Sequence, residues 1–228
     1  MRTDPLPARL QEVRIPCGGT WLYGDLGLPA EFIGVVLFAH GSGSGRHSAR
    51  NRLVARRLQE SGIATLLFDL LTAQEEEVDN RTREHRFDIA LLTHRMEEAA
   101  AWAARQPAIR GLPIGFFGAS TGSAAALIAA AHLGRKVAAV VSRGGRPDLA
   151  GPAALAAVTA PTLLIVGGAD PPVLGINEQA LAHLQCTKRL AVVPGAGHLF
   201  EEPGALEQVG ELAAGWFGRH LLRTEQLA

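Results

Sequence analysis

The turn in the middle of the chain reads Gly118-Ala119-Ser120-Thr121-Gly122, which is a G-x-S-x-G motif. An apolar run precedes the motif and an alanine-rich run follows it, so a strand is predicted to turn sharply into a helix there. The glycines leave room in such a turn, and the serine hydroxyl is left exposed at its tip. The pattern predicts a nucleophile elbow; the alternative is a glycine-rich turn whose serine only caps the helix.

An acidic residue and a histidine follow the serine, each just beyond another apolar run. Residues 161–166 lead to Asp170, and residues 190–194 lead to His198. Taken singly, Asp170 fits an ordinary turn and His198 fits a half-buried histidine. A serine hydroxyl, however, needs an imidazole to take its proton, and the imidazole needs an acid to orient it. The order along the chain therefore favours a catalytic triad of Ser120, Asp170 and His198.

A glycine-rich loop follows an earlier apolar run, residues 33–39, and begins with His40, Gly41 and Ser42. Glycines allow backbone N–H groups to approach a developing oxyanion, so the loop is typical of an oxyanion hole. We expect the donors to be the N–H of Thr121 and an N–H of Gly41 or Ser42. We expect His40 to hold this loop beside the substrate. A phosphate-binding loop is the alternative, but neither G-x-x-x-x-G-K-[ST] nor G-x-G-x-x-G with a following acid is present.

The four segments together resemble those of α/β-hydrolases, and in particular the dienelactone hydrolase-like group of small serine esterases. The resemblance extends from about Val13 to about Leu222. It implies an α/β fold with a doubly wound, mostly parallel sheet, helices on both faces, and Ser120, His198 and Asp170 at the carboxyl edge. True dienelactone hydrolases carry a cysteine nucleophile, so the serine of this elbow implies general ester hydrolysis rather than lactone specificity.

Length and composition fit an ordinary globular protein. The 228 residues predict a single domain over residues 1–228. The net charge of zero gives no sign of nucleic acid or a membrane surface as a partner. No apolar run has the length of a membrane span, and the N-terminus has no signal-peptide core, so a cytoplasmic protein is expected. The two cysteines, Cys17 and Cys186, do not suggest a disulfide framework.

The same composition bounds cofactors and partners. The histidines and cysteines show no metal-binding spacing, so no metal or other cofactor is expected. The partner is expected to be a small-molecule ester, and the chain is compatible with a monomer or a homodimer.

The other patterns predict alternating strands and helices. A hairpin is predicted around residues 17–19, and Pro152 to Val158 is expected to form one short helix in place of a cap domain. Residues 74–86, an acidic run followed by a basic run, are predicted to form an exposed loop tied by weak ion pairs. Further helices are predicted over residues 50–60, 87–105 and 203–222, and further strands over residues 64–69 and 137–141.

Two arginines follow the strand predicted at residues 137–141, on the same edge as the triad. Arg143 or Arg146 is a candidate for binding a substrate carboxylate through its guanidinium. The alternative is that one or both pair with Asp148 and hold the loop. A second basic cluster, residues 46–52, either lines the mouth of the pocket or begins a helix.

These residues together predict a serine hydrolase that cleaves carboxylic esters through an acyl-enzyme on Ser120. Two alternatives stay open. If an alcohol or an amine attacks the acyl-enzyme in place of water, the protein is an acyltransferase or a peptidase. If the fold serves without turnover, it is a ligand-binding module.

Overall fold

A computed structural model of the chain describes residues 8–222. The first seven residues, where the sequence predicts no signal-peptide core, lie outside the described residues. Strands and helices alternate in the order β1 (Arg9–Cys17), β2 (Thr20–Leu28), β3 (Val35–Ala39), α1 (Ala49–Glu60), β4 (Ala64–Phe68), α2 (Ala73–Thr82), α3 (Ile89–Ala103), β5 (Ile114–Ala119), α4 (Gly122–Leu133), β6 (Val137–Arg143), α5 (Gly151–Ala157), β7 (Thr162–Gly167), α6 (Pro171–His183), β8 (Lys188–Val193) and α7 (Ala205–His220).

One sheet contains all of these strands, in the order β1-β2-β4-β3-β5-β6-β7-β8. β1 and β2 form an antiparallel hairpin, and β2 pairs antiparallel with β4. The other six strands, β3 to β8, run parallel to one another. β3, β4, β5 and β7 are buried at every residue, because helices cover both faces of the parallel part. The carboxyl ends of the parallel strands therefore meet at one edge, where α/β sheets bind their ligands.

Each face of the sheet has its own apolar core. On one face, side chains of α3, α4, α5 and α6 pack against the sheet around Phe68 and Phe116. On the other face, α1 and α7 pack together and against the sheet around Phe38, Phe117 and Phe217. The doubly wound arrangement predicted from the alternating pattern is confirmed.

Several local predictions are also confirmed. The hairpin turns at Gly18 and Gly19, whose φ angles of 53° and 84° are readily adopted only by glycine. Between β6 and β7 the chain forms only a 3₁₀ turn, Pro147–Ala150, and the short helix α5, so no cap domain is inserted there. Among the described residues, no helix combines the length and the apolar character that a membrane crossing requires.

The prediction of an exposed loop at residues 74–86 is wrong. Residues 73–82 form helix α2, and its N-terminus has a capping box in which Thr72 and Glu75 bond to each other's backbone N–H. Asp79 of this helix is only 2% exposed. The run of charges was interpreted as a solvated segment, but one of its acids points inward and fixes the turn that follows the helix. Helix α6, directly after Asp170, was not predicted.

Candidate active site

Ser120 lies at the tip of the turn between β5 and α4, with a φ of 50°. A left-handed backbone is strained for a residue with a side chain, so the surrounding packing must hold the serine there. A Cβ on Gly118 would lie 2.4 Å from Cα of Ser123, and a Cβ on Gly122 would lie 2.4 Å from the carbonyl oxygens of Ala39 and His40. Both glycines of the motif are therefore required for a turn this tight.

Asp170 and His198 meet at the carboxyl ends of β7 and β8. His198 Nδ1 lies 2.9 Å from Asp170 Oδ2. The aspartate side chain is 15% exposed and the histidine side chain 39%. Asp170 immediately precedes α6, but its side chain makes no capping bond and is directed to the imidazole instead. Because Nδ1 donates to the carboxylate, the Nε2 atom of His198 is the one left with a lone pair.

The turn after β6 brings the serine and the histidine to the same place. The Ser120 N–H donates to the carbonyl oxygen of Arg143 at 3.2 Å. A Cβ on the next residue, Gly144, would lie 3.1 Å from the carbonyl oxygen of His198 and 3.7 Å from its Cε1. Within residues 8–222 no hydrogen bond joins Ser120 Oγ to His198. Catalytic hydrogen bonds of this kind often tighten only when substrate binds.

The loop after β3 lies directly against the elbow. A Cβ on Gly41 would lie 3.1 Å from Cβ of Ser120. The expectation that Ser42 offers a free N–H needs correction, because this N–H donates to Thr121 Oγ1 at 3.0 Å. The Thr121 hydroxyl is the nearest acceptor and ties the loop to the residue after the serine. In the described part of the chain, the Thr121 N–H itself has no acceptor, so it is open to an incoming oxyanion.

Hydrogen bonds of the His40 ring hold the same loop in place. Its Nδ1 donates to the carbonyl oxygen of Gly41, and its Nε2 accepts from the N–H of Leu70, both at 3.0 Å. Burial lowers the pKa of His40 below its ordinary value of 6.5, which keeps the imidazole neutral. A neutral ring with these two bonds has its proton on Nδ1. The structure places His40 as a link between the loops after β3 and β4.

The two arginines after β6 have different surroundings. Arg146 makes a two-pronged pair with Asp148, with N–O distances of 2.8 and 2.7 Å. This bonding lowers the pKa of Asp148. The guanidinium of Arg146 is thus occupied by the local acid, which corrects its assignment to the substrate. Arg143 is 7% exposed and forms no ion pair with a carboxylate among the described residues.

A cleft opens beside the loop after β3, on the side of β4. It is lined by residues 40–44, residues 69–71 and several polar side chains of α2 and the following turn. Arg86 lies in this lining, and its Nη1 would be 3.3 Å from a Cβ on Gly43. Its partner Asp79 accepts from Arg86 Nε at 2.6 Å. Both residues lie in the acid-then-base segment 74–86, which was predicted to be an exposed loop tied by ion pairs, and neither was assigned a role of its own.

Phe200 is a second residue that the sequence did not single out. It lies two positions after His198, is 2% exposed and has a φ of 56°. Its ring packs beside Gly144, since its Cε2 would be 3.3 Å from a Cβ there. The loop that carries His198 is therefore held by a buried aromatic ring on a strained backbone.

The described residues contain no group of three or more His, Cys, Asp or Glu side chains arranged to hold a metal ion. Cys17 and Cys186 are free thiols.

Comparison with known proteins identifies several relatives. The crystal structure of a dienelactone hydrolase from Anabaena variabilis is 56% identical, covers 95% of this chain and 100% of its own, and superposes with a TM-score of 0.93. Est1E from Butyrivibrio proteoclasticus has the same fold, with a TM-score of 0.77 at 17% identity over 92% of this chain and 98% of its own.

Two curated proteins from Mycobacterium tuberculosis, which bear the provisional name phosphoribosyl transferase, are 56% identical over 96% of this chain. The match covers 48% of each of them, so the chain spans about half the length of these curated relatives. The profile of the α/β-hydrolase domain family matches residues 33–210, from the strand before the oxyanion loop to the last helix. The chain belongs to the α/β-hydrolase family.

Proposed function

We propose that this protein is a serine esterase that hydrolyses carboxylic esters. The observation that carries the proposal is the convergence on one turn: Ser120 bonds to the backbone of Arg143, and the neighbouring Gly144 packs against His198, which Asp170 holds. A strained, half-buried serine on a turn that packs against an oriented imidazole is an arrangement suited to nucleophilic acyl transfer.

In the first half of the reaction, Ser120 Oγ attacks the ester carbonyl carbon while His198 Nε2 takes the hydroxyl proton. Asp170 stabilises the imidazolium that forms, through the bond to Nδ1. When the tetrahedral intermediate collapses, the C–O bond to the alcohol breaks and the alcohol takes the proton from Nε2. In the second half, water attacks the acyl-enzyme with the same proton transfers, which releases the acid and restores the serine.

The developing oxyanion needs donors on the opposite side of the carbonyl. The Thr121 N–H supplies the first, reinforced by the positive end of α4, which begins at the next residue. The N–H of Gly41, in the loop after β3, is the candidate for the second. The bond from the Ser42 N–H to Thr121 Oγ1 holds that loop in place.

The name carried by the mycobacterial relatives does not alter this proposal. They are about twice as long as the matching region, so the transferase activity that their name describes need not reside in the part that this chain resembles. The arrangement of Ser120, His198 and Asp170 supports the hydrolase proposal instead.

An activity-based probe tests the proposal without knowledge of the natural ester. A fluorophosphonate forms a covalent adduct only with an activated serine, and intact mass spectrometry counts the adducts. We expect one adduct on the wild-type protein and on Ser61→Ala, a control at the end of α1, and none on Ser120→Ala. A wild-type protein that stays unlabelled, or a Ser120→Ala protein that is still labelled, would refute the proposed nucleophile. Hydrolysis of an ester panel by the unlabelled wild-type enzyme, and its loss after labelling, completes the test.

A further inference from the structure

Arg143 is a buried cation without a counter-ion. It is 7% exposed, and in the described part of the chain its one side-chain hydrogen bond is a long contact of 3.4 Å from Nη2 to Asn51 Oδ1. Its Nε has no partner. A guanidinium in the interior normally has a carboxylate and several acceptors, because an unpaired buried charge is costly. Among the described residues, the Arg143 side chain therefore makes one long hydrogen bond, and its buried Nε makes none.

A second arginine increases the positive charge at this position. Burial, and to a lesser extent the charge of Arg50, lowers the pKa of Arg143 to about 10, so it still carries its proton at neutral pH. The Nε of Arg50 is also buried without a partner. Its Nη1 lies 3.4 Å from Glu201 Oε1, an exposed carboxylate. The three charged groups leave one net positive charge, which is unbalanced at Arg143.

The surroundings of Arg143 shape a narrow site. The guanidinium carbon lies 5.8 Å from the centre of the Phe200 ring. Asn51, near the start of α1, accepts the long hydrogen bond from Arg143 with its side-chain oxygen. Asn51 is only 3% exposed. The Arg50 side chain is 36% exposed, so this residue connects the buried guanidinium to solvent.

Arg143 also lies next to the reacting groups. Its backbone carbonyl receives the N–H of Ser120, and Gly144 packs against His198. Phe200, which contacts the guanidinium, belongs to the same loop as His198. A small molecule whose ester carbonyl is at Ser120 could therefore place an anionic group of its own against Arg143.

We propose that Arg143, supported by Arg50, binds a carboxylate carried by the substrate, so that the enzyme prefers small esters bearing one negative charge. The proposal rests on the proposed esterase function and specifies its substrate class. A carboxylate matches the flat guanidinium with two parallel hydrogen bonds. It also matches the single unbalanced positive charge, whereas a phosphate monoester would bring nearly two negative charges.

A kinetic experiment uses two substrates that differ only in this charge, mono-4-nitrophenyl glutarate and its methyl ester. The measured quantity is the ratio of kcat/KM for the acid to that for the neutral ester. We expect Arg143→Met to lower this ratio about tenfold or more, because one charge-assisted pair is lost. Arg143→Lys should retain part of the preference. Arg146→Gln removes one positive charge from the same loop, and we expect the ratio to stay unchanged because Asp148 already occupies that arginine.

A binding experiment separates this proposal from the esterase proposal. Ser120→Ala cannot turn over, so calorimetry can measure its binding of N-phenylsuccinamic acid and of the methyl ester of that acid. We expect the acid to bind more tightly than its ester, and the difference to disappear in Ser120→Ala/Arg143→Met. Tighter binding of the acid by a protein that hydrolyses no ester would leave the anion site standing and overturn only the esterase function.

Three results would overturn the proposal that Arg143 binds a substrate carboxylate. One is an equal loss of kcat/KM for the acid and the neutral ester in Arg143→Met. Another is an equal fall of the ratio in Arg143→Met and Arg146→Gln, which would reveal a general charge effect. The third is displacement of the bound acid by millimolar inorganic phosphate but not by acetate, which would replace a carboxylate with a phosphate as the ligand.

Discussion

The carboxyl edge of the sheet has two sides that are built in opposite ways. The triad side, formed by the loops after β5, β6, β7 and β8, carries Ser120, Arg143, Asp170, His198 and Phe200. The β4 side consists of residues 69–86. On the triad side, the buried guanidinium of Arg143 forms no ion pair with a carboxylate among residues 8–222. Left-handed backbone does not separate the two sides, because Arg83 after α2 has a φ of 62°, as Ser120 and Phe200 have φ angles of 50° and 56°. On the β4 side, the polar groups that point inward are engaged by one another.

Asp79 shows how an inward polar group of the β4 side is paired within the protein. Its carboxylate accepts the backbone N–H groups of His85 and Arg86 at 2.9 and 2.8 Å and the Nε of Arg86 at 2.6 Å. On the triad side, among the described residues, the half-buried His198 bonds to Asp170 alone, and the side chain of Arg143 makes one long hydrogen bond, to Asn51. The inward polar groups of the β4 side therefore stabilise the fold, whereas those of the triad side are the ones that we propose act on a bound molecule.

The largest effect is expected when the acid that bonds to His198 on the triad side is removed. Asp170→Asn keeps the shape of the side chain but can present an N–H to His198 Nδ1, which favours the wrong tautomer of the ring. We expect kcat to fall by about a thousandfold or more, with little change in the melting temperature. The control is Asp148→Asn, which affects an exposed acid paired only with Arg146. An Asp170→Asn enzyme with near-wild-type kcat would show that Asp170 does not orient the histidine.

The matching change on the β4 side should affect stability instead. Asp79→Ala leaves two backbone N–H groups and the guanidinium of Arg86 without their acceptor, so the free energy of unfolding should fall by about 3 kcal/mol. The control on the same helix is Glu77→Ala, which removes an exposed pair with Arg81 at 3.7 Å and should cost less than about 0.5 kcal/mol. Urea denaturation measures both losses. Equal losses would show that Asp79 does not anchor the turn.

The two sides also differ in how much of them the sequence predicts. The triad side follows from local motifs, because the elbow glycines and the residues just past apolar strands have a fixed place in a parallel sheet. Phe200 could not be predicted in the same way, since nothing local marks a phenylalanine that will adopt a left-handed backbone. Nor could the sequence distinguish Arg143 from Arg146, because the distinction depends on which of them finds Asp148 and which turns inward.

The β4 side was harder to predict for a related reason. Its charges alternate in sign, and such a run is compatible with an exposed loop until tertiary contacts show that Asp79 is inside. The link from Ser42 to Thr121 joins residues 79 positions apart, and no pattern of single residues encodes it. What the sequence predicts well is therefore the chemistry at strand ends, and what it predicts poorly is the choice of partners between loops.

His40 links the loop after β3, which packs against Ser120, to the loop after β4, and its titration gives the smallest of the expected effects. Its Nε2 can accept the Leu70 N–H only while the ring is neutral, and burial lowers its pKa below 6.5 in the folded state. As the pH falls below about 6.5, the unfolded chain binds a proton that the folded chain resists, so stability falls, by at most about 1.4 kcal/mol per pH unit for one group. His40→Gln retains an acceptor for Leu70 but does not titrate, so its stability should vary less with pH in this window. His220, whose pKa is also lowered by burial, is less buried, and His220→Gln should flatten the curve less. A His40→Gln protein with the full wild-type pH dependence would mean that the link between the loops does not depend on the charge of this ring.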